Sequence, residues 1–180
     1  MGETSLAGRL LLSAPSLLDP NFRRSVVLVV AHDEEGALGL VLDRPTRLAV
    51  AQAAPALAEL VDPEAVLHRG GPVRATAVVI LARYRDGGPE RAILPGVGLL
   101  TTLDAAAIAG IERVRVFAGY AGWGAGQLEV EVASGAWLMT PARAGDPFVE
   151  PPSRLWRLAL RRLGTRYLLF STLTRAPRLD

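Results

Sequence analysis

With two histidines, no cysteine and no lysine, this 180-residue chain has few side chains able to do chemistry. The missing thiol excludes disulfides, thiolate metal centres and a cysteine nucleophile. No serine stands in a G-x-S-x-G setting, and only His32 and His68 are available as histidine bases. No catalytic set is assigned, and no cofactor is expected. His32 heads the run His32-Asp33-Glu34-Glu35, whose oxygens would suit a hard cation. A hairpin tip fixes ligands poorly, so a solvated turn accounts for this run better. His68 stands beside Gly70-Gly71 with no ligating residue at metal spacing, which fits packing at a strand end. No metal site is expected.

The densest group of unusual residues lies in 119–129, where Gly119, Gly122, Gly124 and Gly126 surround Trp123 and lead into Gln127 and Glu129. So many glycines imply positive φ values or very close approach of the backbone to something. One reading is an anion cradle at the start of a helix. Two features oppose it. The spacing matches neither the P-loop nor G-x-G-x-x-G, and Glu129 in the first helical turn would repel a phosphate. A tight structural connection is the competing reading. Asp43 and Arg44 at a strand end, with Asp19 near another strand's start, form either a charged pocket rim or a turn-fixing ion pair. Together Asp19, Asp43, Arg44, Gly122, Trp123, Gly124, Gly126, Gln127 and Glu129 make the candidate surface for a protein or small-ligand partner, with Trp123 at least partly exposed.

The net charge of +2 hides an asymmetry, because residues 151–180 carry seven arginines against one acid. Such imbalance raises the prospect of an anionic partner. On a helical wheel Arg154, Arg157 and Arg161 share one side and Leu155, Trp156, Ala159 and Leu163 the other. Arg166 follows. This face is the alternative, DNA-binding reading. It lacks the second helix of a helix-turn-helix and the interleaved aromatics of a single-strand platform, and a solvated amphipathic helix explains it equally.

The elements that must position these residues follow from periodicity and turn chemistry. Residues 6–13 read as a first strand, and 25–31 and 37–42 as a hairpin joined by a longer loop ending in Gly36. Both hairpin strands are apolar at nearly every position, so both of their faces need cover. Residues 48–61 read as two short helices with Pro55 opening the second. A Gly-Gly-Pro bend leads into a strand at 76–82, then two short strands flank Pro95-Gly96. Asp104 caps a short helix through Ile111. Residues 113–120 form a strand entering the core, a glycine loop follows, and 127–134 form a helix closed by Gly135. Next come a short strand at 136–140, a loop at 142–147, a helix capped by Ser153 and running to Leu163, a final strand at 166–173, and a loose tail over 174–180.

Half of the residues are apolar, enough for one domain spanning 1–180 that buries roughly 70% of its unfolded surface. Residues 1–20 lack the basic start and apolar run of a signal peptide, and no apolar run approaches the ~20 residues of a membrane span. A soluble, cytoplasmic protein without membrane contact is expected. Oligomeric state is not readable.

The segments LLLSAPSLLDPNFRRSVVLVVAHDEEGALGLVLDRP, HRGGPV and RVFAGYAGWGAGQLE, followed by AW and SRLW, resemble the bacterial YqgE/AlgH family in order and over nearly the whole chain. The resemblance implies a single α/β (α+β) domain with a curved, largely antiparallel, partly closed β-sheet and flanking helices. It implies no established activity and supplies no catalytic residue. The family's label of transcriptional regulator comes from a link to alginate production in one lineage. Two positions depart from the family pattern: Asp43, where Asn is usual before Arg-Pro, and Ala125, where Pro is usual. The expectation is a regulatory or interaction module without catalysis. The alternatives are DNA binding through the arginine face, or a small anionic ligand at the loop 119–129.

Overall fold

The computed structural model describes residues 5–86, 88–89, 91–167 and 169. Its first strands are β1 (Arg9–Ser13), β2 (Val26–Asp33), β3 (Gly36–Val41) and β4 (Pro45–Ala49). Helix α1 (Val50–Ala53) and a 3₁₀ turn over Pro55–Leu60 lead to β5 (Val66–Arg69), β6 (Val73–Tyr84), β7 (Ala92–Leu94) and β8 (Val97–Leu99). Helix α2 (Ala105–Ile108) precedes the long strand β9 (Ile111–Gly124), α3 (Gln127–Ala133) and β10 (Trp137–Pro141). 3₁₀ turns at Asp146–Phe148 and Pro152–Arg154 end in α4 (Leu155–Arg162).

The strands make one curled sheet in the order β10-β1-β2-β3-β9-β6-β8-β7, with β5 bridging β4 and β9 off this path. Every pairing is antiparallel except β5 with β9. Strand alternation sorts the apolar ribbon into two cores. Leu10, Leu12, Val26, Leu28, Leu40 and Leu42 face one core, closed by Leu155, Trp156, Ala159 and Leu160 of α4. Leu11, Val27, Val29 and Val41 face the other, closed by Trp123, Leu128 and Trp137. This is the two-sided cover that the continuous apolar pattern requires. A third, smaller cluster (Val50, Leu57, Leu67 and Val116) packs α1 and its 3₁₀ turn under β5 and β9.

Several expectations need correction. The glycines at 119–124 are not a loop: β9 runs through them to Gly124, because Ala121, Gly122, Trp123 and Gly124 pair with Gly39, Leu38, Ala37 and Gly36 of β3. At Gly119 the reason for glycine is that backbones meet there. A Cβ on Gly119, at φ +70°, would lie 2.6 Å from the Gly71 carbonyl oxygen, and one on Gly70 would lie 2.2 Å from that of Gly119. The β2–β3 connection is shorter than expected, a turn at Glu34-Glu35 between the paired Asp33 and Gly36. Residues 45–49 pair with β5 as a strand, so the helical stretch expected from Leu48 begins only at Val50. Pro55 does open the second helical piece, and the Asp104 side chain does cap α2, accepting from the Ala107 N–H. Ser153 caps nothing, since a 3₁₀ turn opened by Pro152 feeds α4 directly. Of the final strand expected at 166–173, Arg166, Tyr167 and Leu169 are helical, the turn being started by a Tyr167 N–H bond to the Gly164 carbonyl. The remaining positions of that stretch, and the tail at 174–180, lie outside the described residues. Among the described residues no helix is long and apolar enough to cross a membrane.

Candidate functional site

The surface expected around 119–129 is mostly held by its own interior. Trp123 is buried (7% exposed), contrary to expectation, stacked on Phe22 at 6.3 Å between ring centroids and edge-on to Trp137 at 6.2 Å. Trp123 Nε1 and Trp137 Nε1 both donate to Glu131 Oε2 at 2.9 Å. Gln127 Nε2 donates to Glu131 Oε1, while Gln127 Oε1 accepts the Gly124 N–H. Glu129 bonds His32 Nε2, and His32 Nδ1 accepts the Leu6 N–H, tying α3 to the β2–β3 hairpin. The backbone N–H of Glu129 first, and His32 second, hold its carboxyl below the usual range. The acidic run beyond His32 is a turn, in which Asp33 Oδ1 accepts the Glu35 N–H. Gly126 opens α3 in the left-handed conformation, and Gly122, Gly124, Gly126 and Gln127 are exposed.

Asp19, Asp43 and Arg44 do gather around one corner. Asp19 is exposed, and its Oδ1 accepts the Asn21 N–H. Asp43 is buried, accepts the Val26 N–H at 3.1 Å and stands 3.5 Å from Arg44 Nη1. Burial raises its carboxyl to about 6, against the Arg44 charge. Arg44 also donates to the Arg23 carbonyl. The depression beside them holds only about 50 Å³. Asp43 and Arg44 form an ion pair at this corner. On and beside α4 the arginines separate as expected: Arg154, Arg157 and Arg161 are exposed, and Arg166 lies over its neighbour Tyr167 at 4.7 Å. Arg162 instead turns inward to form a two-pronged pair with the buried Asp146, at 2.7 and 2.6 Å.

A more capacious depression than the one beside Arg44 lies elsewhere. It is a cleft of about 660 Å³ reaching His68, Arg115 and Glu150. Strand β5 pairs with β9 at His68 opposite Phe117 and Arg69 opposite Ala118. Before that point the two strands splay, leaving the edge of β9 from Glu112 to Val116 as one wall and Ala65 and Val66 as the other. Val50, Leu60, Val61, Val114 and Val116 supply an apolar side. Phe148, Glu150 and Pro152 close one end.

His68 is 4% exposed, and its Nε2 has no partner among the described residues. Its Nδ1 lies 3.1 Å from the Val66 carbonyl oxygen. A carbonyl only accepts, so Nδ1 carries the proton and Nε2 keeps a lone pair. Burial first, and the Arg115 charge second, depress this imidazole to about 4, so at neutral pH it is uncharged. Arg115 is 8% exposed and pairs with the Glu150 carboxylate. Burial pulls its guanidinium below the ordinary range, and Glu150 works against that. The Glu150 side chain is 65% exposed. The cleft thus combines a buried cation, an exposed counter-ion, a buried neutral imidazole and an apolar wall, the composition of a small-molecule site. Among the described residues no His, Cys, Asp or Glu cluster could hold a metal ion. One signal in the sequence pointed here: the alternation Arg113, Arg115, Phe117 puts Arg115 in register with a core phenylalanine.

The model of a family described as AlgH-like (DUF179) matches residues 10–168. A UPF0301 protein of Streptomyces avermitilis is 40% identical, the match covering 98% of this chain and 96% of the relative. A Streptomyces coelicolor UPF0301 protein is 44% identical over 88% of this chain and 87% of its own length. The crystal structure of protein DIP2367 from Corynebacterium diphtheriae superposes with a TM-score of 0.84 at 26% identity, covering 95% of this chain and 94% of that one. The solution structure of AlgH from Pseudomonas aeruginosa superposes with a TM-score of 0.68 at 33% identity, covering 99% and 98%.

Proposed function

The chain belongs to the AlgH-like family, and within it we propose a regulatory role exercised by binding rather than by catalysis, with a small ligand seated in the cleft between β5 and β9. The observation that carries this reading is a cleft of about 660 Å³ whose lining joins the buried Arg115 and His68 to an apolar wall. A role as catalytic base fits less well, because a base held near 4 takes up protons poorly at neutral pH. Output to a protein partner is assigned to the exposed side of α3, where Gln127 and Val130 stand one turn apart and Val130 is 69% exposed. We place the module in the cytoplasm, in keeping with the absence of cysteine.

The test is a thermal-stability screen of small metabolites, with NMR mapping of each hit. A specific ligand raises the melting temperature by mass action and shifts resonances of His68 and of residues 112–116. A screen whose hits all map elsewhere, or one without hits, refutes the cleft as the binding site. A second reading, DNA contact through Arg154, Arg157 and Arg161, is favoured by their joint exposure on α4. Titration of duplex DNA at several salt concentrations decides it, since phosphate contacts demand affinity that falls steeply with salt.

A further inference from the structure

His32 joins three parts of the fold at the rim of the second core. Its side chain is 5% exposed. Nδ1 accepts the Leu6 N–H at 3.0 Å, so the single ring proton sits on Nε2, which donates to the Glu129 carboxylate. The His32 carbonyl accepts the Ser5 hydroxyl at 3.1 Å. Residues 5–7 are thus tied down by His32, and Leu6 packs against the second core. The tied segment ends at a firm point. Gly8, at φ +79°, donates to the Val29 carbonyl at 2.9 Å and accepts the Ala142 N–H at 3.0 Å. Among the described residues, Glu129 of α3 is the charged group that meets the ring. Ser5, Leu6 and Ala7 bring no charge, and the partner across on β3 is Ala37. The remaining carboxylates of β2 and α3 are engaged elsewhere, Asp33 with the Glu35 N–H and Glu131 with Trp123, Trp137 and Gln127.

We infer that His32 is an acid-sensitive latch for the N-terminal segment: proton uptake at Nδ1 releases residues 5–7, which swing out about Gly8, while the imidazolium tightens its hold on α3. The cause is a conflict of donors. A second ring proton points an N–H at the Leu6 N–H, and two donors that face one another are both left unpaired. Glu129 acts the other way, because an ionised carboxylate favours the charged ring. Its carboxyl is held below the usual range, so it stays ionised while His32 titrates. The open form therefore keeps the ion pair and loses the conflict, and it binds the proton more tightly than the closed form. By linkage, acid populates the open form by up to about ten-fold per pH unit for one proton. Opening uncovers the Leu6 contact with the second core, next to the helix whose outer side is assigned to a protein partner.

The full chain is followed by NMR across pH, with the His32 ring nitrogens and the backbone amides read in the same samples. At neutral pH the Nε2–H tautomer is expected. As His32 takes up its proton, protection of the Leu6 amide against hydrogen exchange, corrected for the intrinsic rate, should fall by about ten-fold per pH unit. Protection of the Gly8 amide should hold. His32→Asn, whose amide oxygen still accepts the Leu6 N–H but takes up no proton, should keep Leu6 protected throughout. Glu129→Gln keeps an acceptor for Nε2–H and removes the charge that favours the imidazolium, so opening at a given acid pH should drop about ten-fold. This second variant decides the matter should His32→Asn fail to fold. An Nδ1–H tautomer at neutral pH, an imidazolium with Leu6 still protected, or opening in Glu129→Gln equal to that of the wild type each overturns the latch. Loss of Gly8 protection together with that of Leu6 makes the event a wider acid unfolding and overturns it as well.

Discussion

Trp123 and Trp137 donate their indole N–H groups to the same oxygen, Glu131 Oε2, each at 2.9 Å. One carboxylate on α3 thereby satisfies both tryptophans of the second core, and the helix is fixed over β9 and β10 by its own side chain. The glycine-tryptophan motif is a closure device for this reason. Glu131→Ala leaves two indole donors unsatisfied, each costing about 1–3 kcal/mol. The expected loss is about 3 kcal/mol in urea unfolding, with a red shift of tryptophan fluorescence. Glu131→Gln keeps one oxygen for the two indoles but turns its amide toward Gln127 Nε2, and is expected to cost about 1 kcal/mol.

Asp43 and His68 oppose one another in their pH dependence. The folded-state value for Asp43 is about 6, above the ordinary 3.8. The native chain therefore holds a proton that the unfolded chain has released, and this contribution to stability is lost as pH rises through about 6. The folded-state value for His68 is about 4, below 6.5. Its contribution is present above 6.5 and lost as pH falls through about 4. Each amounts to about 3 kcal/mol, from roughly 2 pH units at 1.4 kcal/mol each. They cancel across much of that window. Asp43→Asn, which keeps an oxygen for the Val26 N–H, is expected to gain about 2 kcal/mol at pH 7. Relative to the wild type, it should then lose that gain between pH 6 and pH 4. Urea unfolding at several pH values checks this, and an unchanged pH profile in Asp43→Asn contradicts it.

Asp146 and Arg162 form a two-pronged pair in which the carboxylate is buried and also accepts the Arg143 N–H at 2.8 Å. Hydrogen bonding to Asp146 raises the Arg162 value. Removing one partner strands the other charge, at a typical cost of about 3 kcal/mol. Asp146→Ala should lose about that much, and hydrogen exchange should localise the loss to α4 and the turn before it. Arg157→Ala, on the exposed face of the same helix, should change stability by less than about 0.5 kcal/mol.

Gly119 permits the crossing of β9 over the Gly70-Gly71 bend. A methyl group there meets carbonyl oxygens at 2.6 and 2.9 Å and a φ of +70°. Gly119→Ala is expected to cost more than about 2 kcal/mol, through backbone strain and clash together. The matching change at Gly126, also at positive φ but with nothing within 4 Å, should cost about 1 kcal/mol. Comparing the two by thermal unfolding separates crowding from strain.

The sequence by itself determined the elements whose logic is local. The double-sided apolar runs at 25–31 and 37–42 demanded two covered faces, and burial of both alternating sets met that demand. Asp104 and Pro55 marked helix starts through capping and a fixed φ, and the wheel of α4 followed from its spacing. What it left undetermined is non-local. Glycines at 119–124 suit a loop or a crowded strand equally, and only the β3 partner chose the strand. Trp123 lost its expected exposure because Phe22, Glu131 and Trp137, from three other segments of the chain, close over it. His68, Arg115 and Glu150 belong to three segments far apart in the chain, and the cleft lies where β5 has not yet met β9, which it pairs with only at its last two residues. Local propensity is written in neighbouring residues, whereas a cavity depends on where paired strands part, and tertiary packing alone decides that.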